Sequence, residues 1–428
     1  MSFSLRTYQN EYLPQGATEI HAVIKVTSSG GPAAAPPSQK AVVLVVDTSG
    51  SMSGRKIRCA QQAAAAAIAR IPDGTLFALV AGNHQARCVY PTTDELVVAS
   101  HQTRADGARA TQRLRAGNGT VISTWIDKAR RLLAPHRDAV RLAYLVTDGQ
   151  NVGEEPEQLD AAVARAAGTF QCDTRGVGDD WAVSELRRIS TALLGEVDII
   201  KSAEEMKSDF TAFLDRAIGR NIADVRVRAW VPPDARVRFL RQIHPTVDDL
   251  GPGAPTSGSQ TVEYPTGAWA GDETREYHLC VEVPPGEVGA GGKAACRLGV
   301  LVGGGTAAEG LVRVVWTDDE ALSTRINRDV ARCTGQAELA AMIQEGLHAR
   351  ECGDTATATL KLERAVELAT STGNDATLKL LRNVVDDDAG SGTVRLKRDV
   401  PRMAVMELDT RSTRTVRMQG SSSEDGPR

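Results

Sequence analysis

The apolar residues of this chain change their spacing near residue 219, and that change limits the folds open to it. Between 41 and 218, short apolar runs take turns with helical stretches. "AVVLVVD", "TLFALVAG", "AVRLAYLVTDG", "FQCDTRGVG" and "GEVDII" read as strands, with "ARCVYP" as a short edge strand. Helical patterns cover 55–70, 101–115, 121–134, 156–168, 182–192 and 202–218. Strands without polar alternation are buried on both faces, so this alternation predicts a doubly wound, mainly parallel sheet with helices on either side. After 219 the period becomes two. "ADVRVRAWV", "ARVRFLRQI", "QTVEYP", "TREYHLCVEV", "AACRLGVLV" and "GLVRVVWT" are short strands divided by Gly/Pro turns, the pattern of a β-sandwich.

One more strand of period two, "ATEIHAVIKVT" at 17–27, lies upstream of the alternating region, separated from it by "SSGGPAAAPPSQK". A lone strand is not stable, so it is expected to join the later sheet, with the α/β domain inserted between. From 319 to 385 the pattern is again helical, roughly four helices, among them one pair of tetratricopeptide type. The last forty residues show no sustained period and read as a flexible tail. The expected divisions are N-terminal strands and linker 1–38, α/β domain 39–218, β-sandwich 219–317, helical domain 318–388 and Thr/Arg-rich tail 389–428.

Composition narrows the function classes. With 42% hydrophobic and 24% charged residues, the chain is of ordinary globular type. A formal charge of −4 and an aromatic content of 4% give no reason to expect nucleic acid or a membrane surface. The 7 cysteines form no C-x-x-C pair, which suits reduced thiols. The opening "MSFSLRTYQNEYLPQG" lacks an apolar signal core, and no run approaches the ~20 residues of a membrane span. A cytoplasmic protein is expected.

The chemistry concentrates at strand ends. In doubly wound sheets, ligands bind beyond the carboxyl ends of the strands. There "VVDTSGSMSG" offers Asp47, Ser49 and Ser51, "AGNGTVIS" offers Thr120 at a helix start, and "YLVTDGQ" offers Asp148. This small, hard, all-oxygen set matches Mg²⁺ or Mn²⁺. His and Cys are missing from these loops, which argues against zinc there. Gly50 and Gly54 are expected to turn the first loop sharply enough for its oxygens to converge.

The D-x-S-x-S loop after a buried strand, the Thr in a Gly-rich loop and the later strand ending T-D-G resemble the von Willebrand factor A (VWA) family, over about 40–218 and including "GVGDDW". Its metal-ion-dependent adhesion site is matched by Asp47, Ser49, Ser51, Thr120 and Asp148. The flanking sandwich also looks like that of inter-alpha-trypsin-inhibitor heavy chains and their bacterial relatives. The resemblance implies a bacterial-type, non-enzymatic scaffold whose ion is completed by an Asp or Glu of a protein partner.

Enzymatic motifs fail. "GSMSGRK" has the wrong spacing for a P-loop, Met52 stands where a nucleophile elbow needs Ser, and Mg²⁺-dependent hydrolysis lacks a visible general base. The seven histidines are scattered without ligand spacing. In the tail, Thr410, Thr413 and Thr415 alternate with arginines. They are candidate phosphorylation sites for a Ser/Thr kinase, and the segment looks like tails read by forkhead-associated domains. A signalling adaptor acting through that tail is the alternative function.

Overall fold

The computed structural model describes residues 2–30, 39–255, 260–388 and 393–415. The chain opens with strands β1 (Ser2–Gln9), β2 (Tyr12–Pro14) and β3 (Glu19–Ser29). The α/β domain follows: β4 (Lys40–Asp47), α1 (Arg55–Arg70), β5 (Leu76–Gly82), β6 (Arg87–Tyr90), β7 (Val97–Val98), α2 (His101–Ala110), α3 (Ile122–Leu133) and β8 (Val140–Thr147). It continues through α4 (Pro156–Ala166), β9 (Gln171–Val177), α5 (Val183–Ala192), β10 (Val197–Ile200) and α6 (Met206–Gly219).

Its sheet runs β10-β9-β8-β4-β5-β6, with β7 also on β5. The inner pairs are parallel, and β6 closes the edge antiparallel. Along β4 the side chains alternate between two cores. Val42, Leu44 and Val46 pack with α1 and α6, while Ala41, Val43 and Val45 pack with α3, α4 and α5. A strand covered on both faces has no need of polar alternation, which is why "AVVLVVD" shows none. The small residues Ala60, Ala63, Ala64 and Ala67 let α1 lie close against the sheet.

The sandwich strands are β11 (Arg220–Trp230), β12 (Arg236–His244), β13 (Asp248–Asp249), β14 (Ala254–Pro255), β15 (Thr261–Ala270), β16 (Thr274–Glu282), β17 (Lys293–Val302) and β18 (Gly305–Thr317). One sheet has the order β1-β3-β16-β12-β13, the other β14-β15-β11-β17-β18-β2. The strand before the α/β domain thus sits inside the later sheet, between β1 and β16. Ile20, Ala22, Ile24 and Val26 face inward onto Val225, Val227 and Ala229 of the opposite sheet.

Four helices follow: α7 (Glu320–Ser323), α8 (Arg328–Glu351), α9 (Thr355–Ser371) and α10 (Asp375–Leu381). Here the structure corrects a boundary. A cut at 388 would pass through an antiparallel hairpin of β19 (Val385–Asp388) and β20 (Thr393–Leu396). A further helix, α11 (Arg402–Arg411), continues the packing, with Leu408 in the helical core and Met406 in the α/β core. Residues 393–415 are therefore not a flexible tail; residues 389–392 and 416–428 of the expected tail lie outside the described residues. Among the described residues, no helix is long and apolar enough to cross a membrane.

Candidate metal centre

Chain order reverses around β4, whose neighbours are β5 on one side and β8 on the other. A crevice opens where successive connections leave in opposite directions. Three loops meet there and are laced by backbone hydrogen bonds. Gly50 N–H donates to Asn118 O (2.9 Å), Gly117 N–H to Thr48 O (2.8 Å) and Gly153 N–H to Thr120 O (3.0 Å). Trp125 of α3 supports them from behind, its Nε1–H donating to Asn83 O at 2.7 Å. It can do so because residue 82 is glycine: a Cβ there would lie 2.5 Å from the indole.

The structure brings all five expected oxygen donors to this crevice. Asp47 and Asp148 are fully buried, Ser49 is 2% and Thr120 4% exposed, and Ser51 stands at the exposed rim. Ser51 Oγ donates to Asp148 Oδ1 at 2.6 Å, joining the first loop to the third. Ser49 Oγ lies 3.0 Å from Ser51 Oγ. A Cβ on Gly149 would lie 3.3 Å from Ser51 Oγ and 3.9 Å from Thr120 Oγ1, so glycine leaves the middle of the cluster clear. Of the two loop glycines, Gly54 takes a positive φ of 74°, whereas Gly50 does not. Gly50 is thus not needed for a left-handed turn, and the convergence comes instead from the lacing described above.

The electrostatics favour a cation. Asp47 is held by Ser49 N–H on Oδ1 (2.6 Å) and Thr147 Oγ1–H on Oδ2 (2.5 Å). Burial raises its pKa to about 6, against the lowering effect of those hydrogen bonds; the neighbouring Asp148 adds to the rise. Among the described residues no cation pairs with Asp47. Asp148 Oδ2 has one, Lys56 Nζ at 2.5 Å. Two buried carboxylates and one ammonium leave the cluster short of positive charge. Its donors are oxygens, so the residues present fit a hard dication.

Lys56 was not anticipated from the sequence. Its position in "GSMSGRK" places it in the first turn of α1, facing back over the loop, a feature that a search for ligand types passes over. The tail threonines are a correction. Thr410 is 1% and Thr413 9% exposed. Thr415 Oγ1–H donates to Ile243 O at 2.8 Å, and Val247 N–H donates to Thr413 O at 2.7 Å. A kinase requires an extended, accessible segment, and these residues are packed against the folded body.

A doubly wound α/β domain with an oxygen cage at its switch point defines a class of strand-end cation-binding modules. Residues 42–150 match the von Willebrand factor type A domain, and residues 367–412 match the von Willebrand factor type A C-terminal domain. A von Willebrand factor type A protein from Catenulispora acidiphila is 42% identical, covers 97% of each chain and superposes with a TM-score of 0.93. The chain belongs to the von Willebrand factor type A family. The ArnB paralog VWA2 from Sulfolobus acidocaldarius shares the fold, at 13% identity over 96% of this chain and 98% of its own, with a TM-score of 0.60. An uncharacterized protein of Synechocystis sp. is 26% identical over 214 residues, 48% of this chain and 49% of that protein, so the match spans about half its length. The type A domain is commonly a metal-dependent protein-interaction module, generally without enzymatic activity.

Proposed function

We propose that the chain is a scaffold that binds a protein partner through a divalent cation, Mg²⁺ or Mn²⁺, held by Asp47, Ser49, Ser51, Thr120 and Asp148. The observation that carries this reading is the pair of fully buried carboxylates, matched by one ammonium and opening to solvent at Ser51. The ion, when bound, supplies positive charge that an incoming Asp or Glu can ligate. The chain does the rest. Ser49, Ser51 and Thr120 contribute neutral oxygens, so the cage's negative charge comes from Asp47 and Asp148 alone, and Lys56 already offsets part of it. Thr147 and the Ser49 amide fix the Asp47 carboxylate in place.

The type A family is generally a binding module without enzymatic activity, which supports binding rather than catalysis here. The test has two parts. Calorimetric titration with Mn²⁺ should show one site that Asp47→Ala removes. Partner capture with and without Mg²⁺, read by mass spectrometry, should return proteins that EDTA and Asp47→Ala both release. Capture unaffected by either change would refute the reading.

A further inference from the structure

A second set of metal-type donors meets on the outer face of the sandwich, far from the cage in chemistry. Glu19, His21 and Cys280 each place a donor atom within 4.8 Å of the others. Strand periodicity brings them there. Ile20, Ala22 and Ile24 of β3 point into the sandwich core, so Glu19, His21 and Val23 point the other way. On the neighbouring β16, Cys280 lies directly opposite His21 and His278 opposite Val23.

His21 Nδ1 lies 3.1 Å from His278 Nε2. Ring nitrogens so close need one N–H and one lone pair between them. With His21 donating from Nδ1, its Nε2 keeps a free lone pair, and that atom lies 3.9 Å from Cys280 Sγ. A ligating histidine is commonly arranged in this way, one nitrogen for the ion and the other tied to an orienting group.

The donors suit a softer ion than the cage does. Thiolate, imidazole and carboxylate are the ligand types of zinc, with bonds of about 2.3 Å to sulfur and about 2.0 Å to nitrogen or oxygen. Closing the present separations to tetrahedral edges of about 3.5 Å takes side-chain movements on the order of 1 Å. Cys280 is buried, His21 half-buried and Glu19 exposed, so an ion enters from the Glu19 side and keeps one position open to solvent. Glu19 now pairs with Arg238 at 3.0 Å. Arg238 also holds Glu282 at 3.1 Å and keeps that partner when Glu19 turns toward an ion. Burial pushes the Cys280 thiol up to about 11 without an ion, and zinc binding would draw off that proton.

We propose that Glu19, His21 and Cys280, with His278 orienting His21, form a zinc-class site that clasps β3 to β16. His21 and Cys280 are 259 residues apart in sequence. One ion would therefore tie the strand that leads into the inserted domain to a strand of the sandwich that follows it. This site is independent of the strand-end cage.

Cobalt titration tests it, because a thiolate–cobalt charge-transfer band reports sulfur ligation that an oxygen cage cannot produce. Cys352 Sγ lies 3.8 Å from His348 Nε2 and is an alternative cobalt ligand, so the titrations use the Cys352→Ser chain. The expected result is one equivalent of Co²⁺ with a near-ultraviolet thiolate band, displaced by Zn²⁺ and lost in Cys280→Ser. The exposed Glu19→Ala should keep the fold and weaken binding at least tenfold. His278→Gln, acting through His21, should weaken it about 10- to 100-fold while the thiolate band persists at saturation. Absence of the band, its survival in Cys280→Ser, or unchanged affinity in Glu19→Ala would overturn the proposal; a circular-dichroism melt establishes that each variant is folded.

Discussion

Lys56 holds its ammonium against Asp148 in the place where a dication would need that carboxylate. It is a tethered competitor as well as a counter-charge, and its side chain is 33% exposed, so it has room to withdraw. Lys56→Met is expected to raise Mn²⁺ affinity about tenfold, the low end of what one adjacent charge does to a carboxylate. The same variant should melt lower in EDTA, because two buried carboxylates are then left without a cation. Calorimetry and thermal melts check both; equal or weaker Mn²⁺ affinity would show that the lysine does not compete.

His278 gives a second prediction at this scale. Burial lowers its pKa from 6.5 to about 4; the charges of His21 on β3 and Arg241 on β12 push the same way. The unfolded chain takes up a proton below about pH 6.5, and the folded ring does not until about pH 4. The stability linked to this group is thus complete above pH 6.5 and is lost as pH falls toward 4, by up to ~3 kcal/mol. Metal-free urea melts at pH 7 and pH 4.5 should show the loss, and His278→Gln should reduce it.

These residues differ in how legible they were. The cage donors lie at strand ends or in short loops that lead into helix starts, so position along the chain carries the information. His21 and His278 meet across paired strands at a separation of 257 residues, and no local spacing encodes that.

At the scale of elements, α11 explains why its own sequence looked patternless. Its contacts are two-sided: Met406 enters the α/β core and Leu408 the helical core. Its acidic residues pair with the α/β domain, Glu407 with Lys201 at 2.8 Å and Asp409 with Arg187 of α5 at 2.8 Å. Asp198 of β10 receives both Arg411 (3.2 Å) and Arg414 (2.7 Å). A helix gripped on opposite sides does not show one apolar stripe, the signal on which sequence reading depends. Arg411 and Arg414 of the expected Thr/Arg-rich tail are ion-pair partners. Leu408→Ala, at a fully buried position, is expected to cost about 2–5 kcal/mol in denaturant melts. Kinase treatment of the folded chain should leave Thr410 and Thr413 unmodified, whereas the urea-unfolded chain becomes a substrate; modification of the native protein would contradict the packing.

For the whole molecule, residues 402–415 touch the α/β domain, the helical region and one side of the sandwich. Beyond the α/β and helical contacts, Thr415 N–H donates to Pro245 O at 3.0 Å beside the sandwich. Removing 393–428 should therefore loosen the helical region and lower the melting temperature, with new tryptic cuts in 320–388. A truncated chain that melts and resists trypsin like the intact one would show that this segment fastens nothing. The broad architecture was legible because strand–helix alternation and period-two runs are strong signals over long stretches. The docking of the C-terminal segment was not, because it rests on charges recruited from β10 and α5.

Where the α/β domain begins and ends, Lys40 Nζ donates to Asn221 Oδ1 at 2.8 Å. Its two termini thus emerge side by side, at the end of the sheet away from the cage. Such close ends are what let a whole domain sit between two strands of a host sandwich without disturbing their register; exchanging the cassette would still strip Met406, Arg411 and Arg414 of their partners.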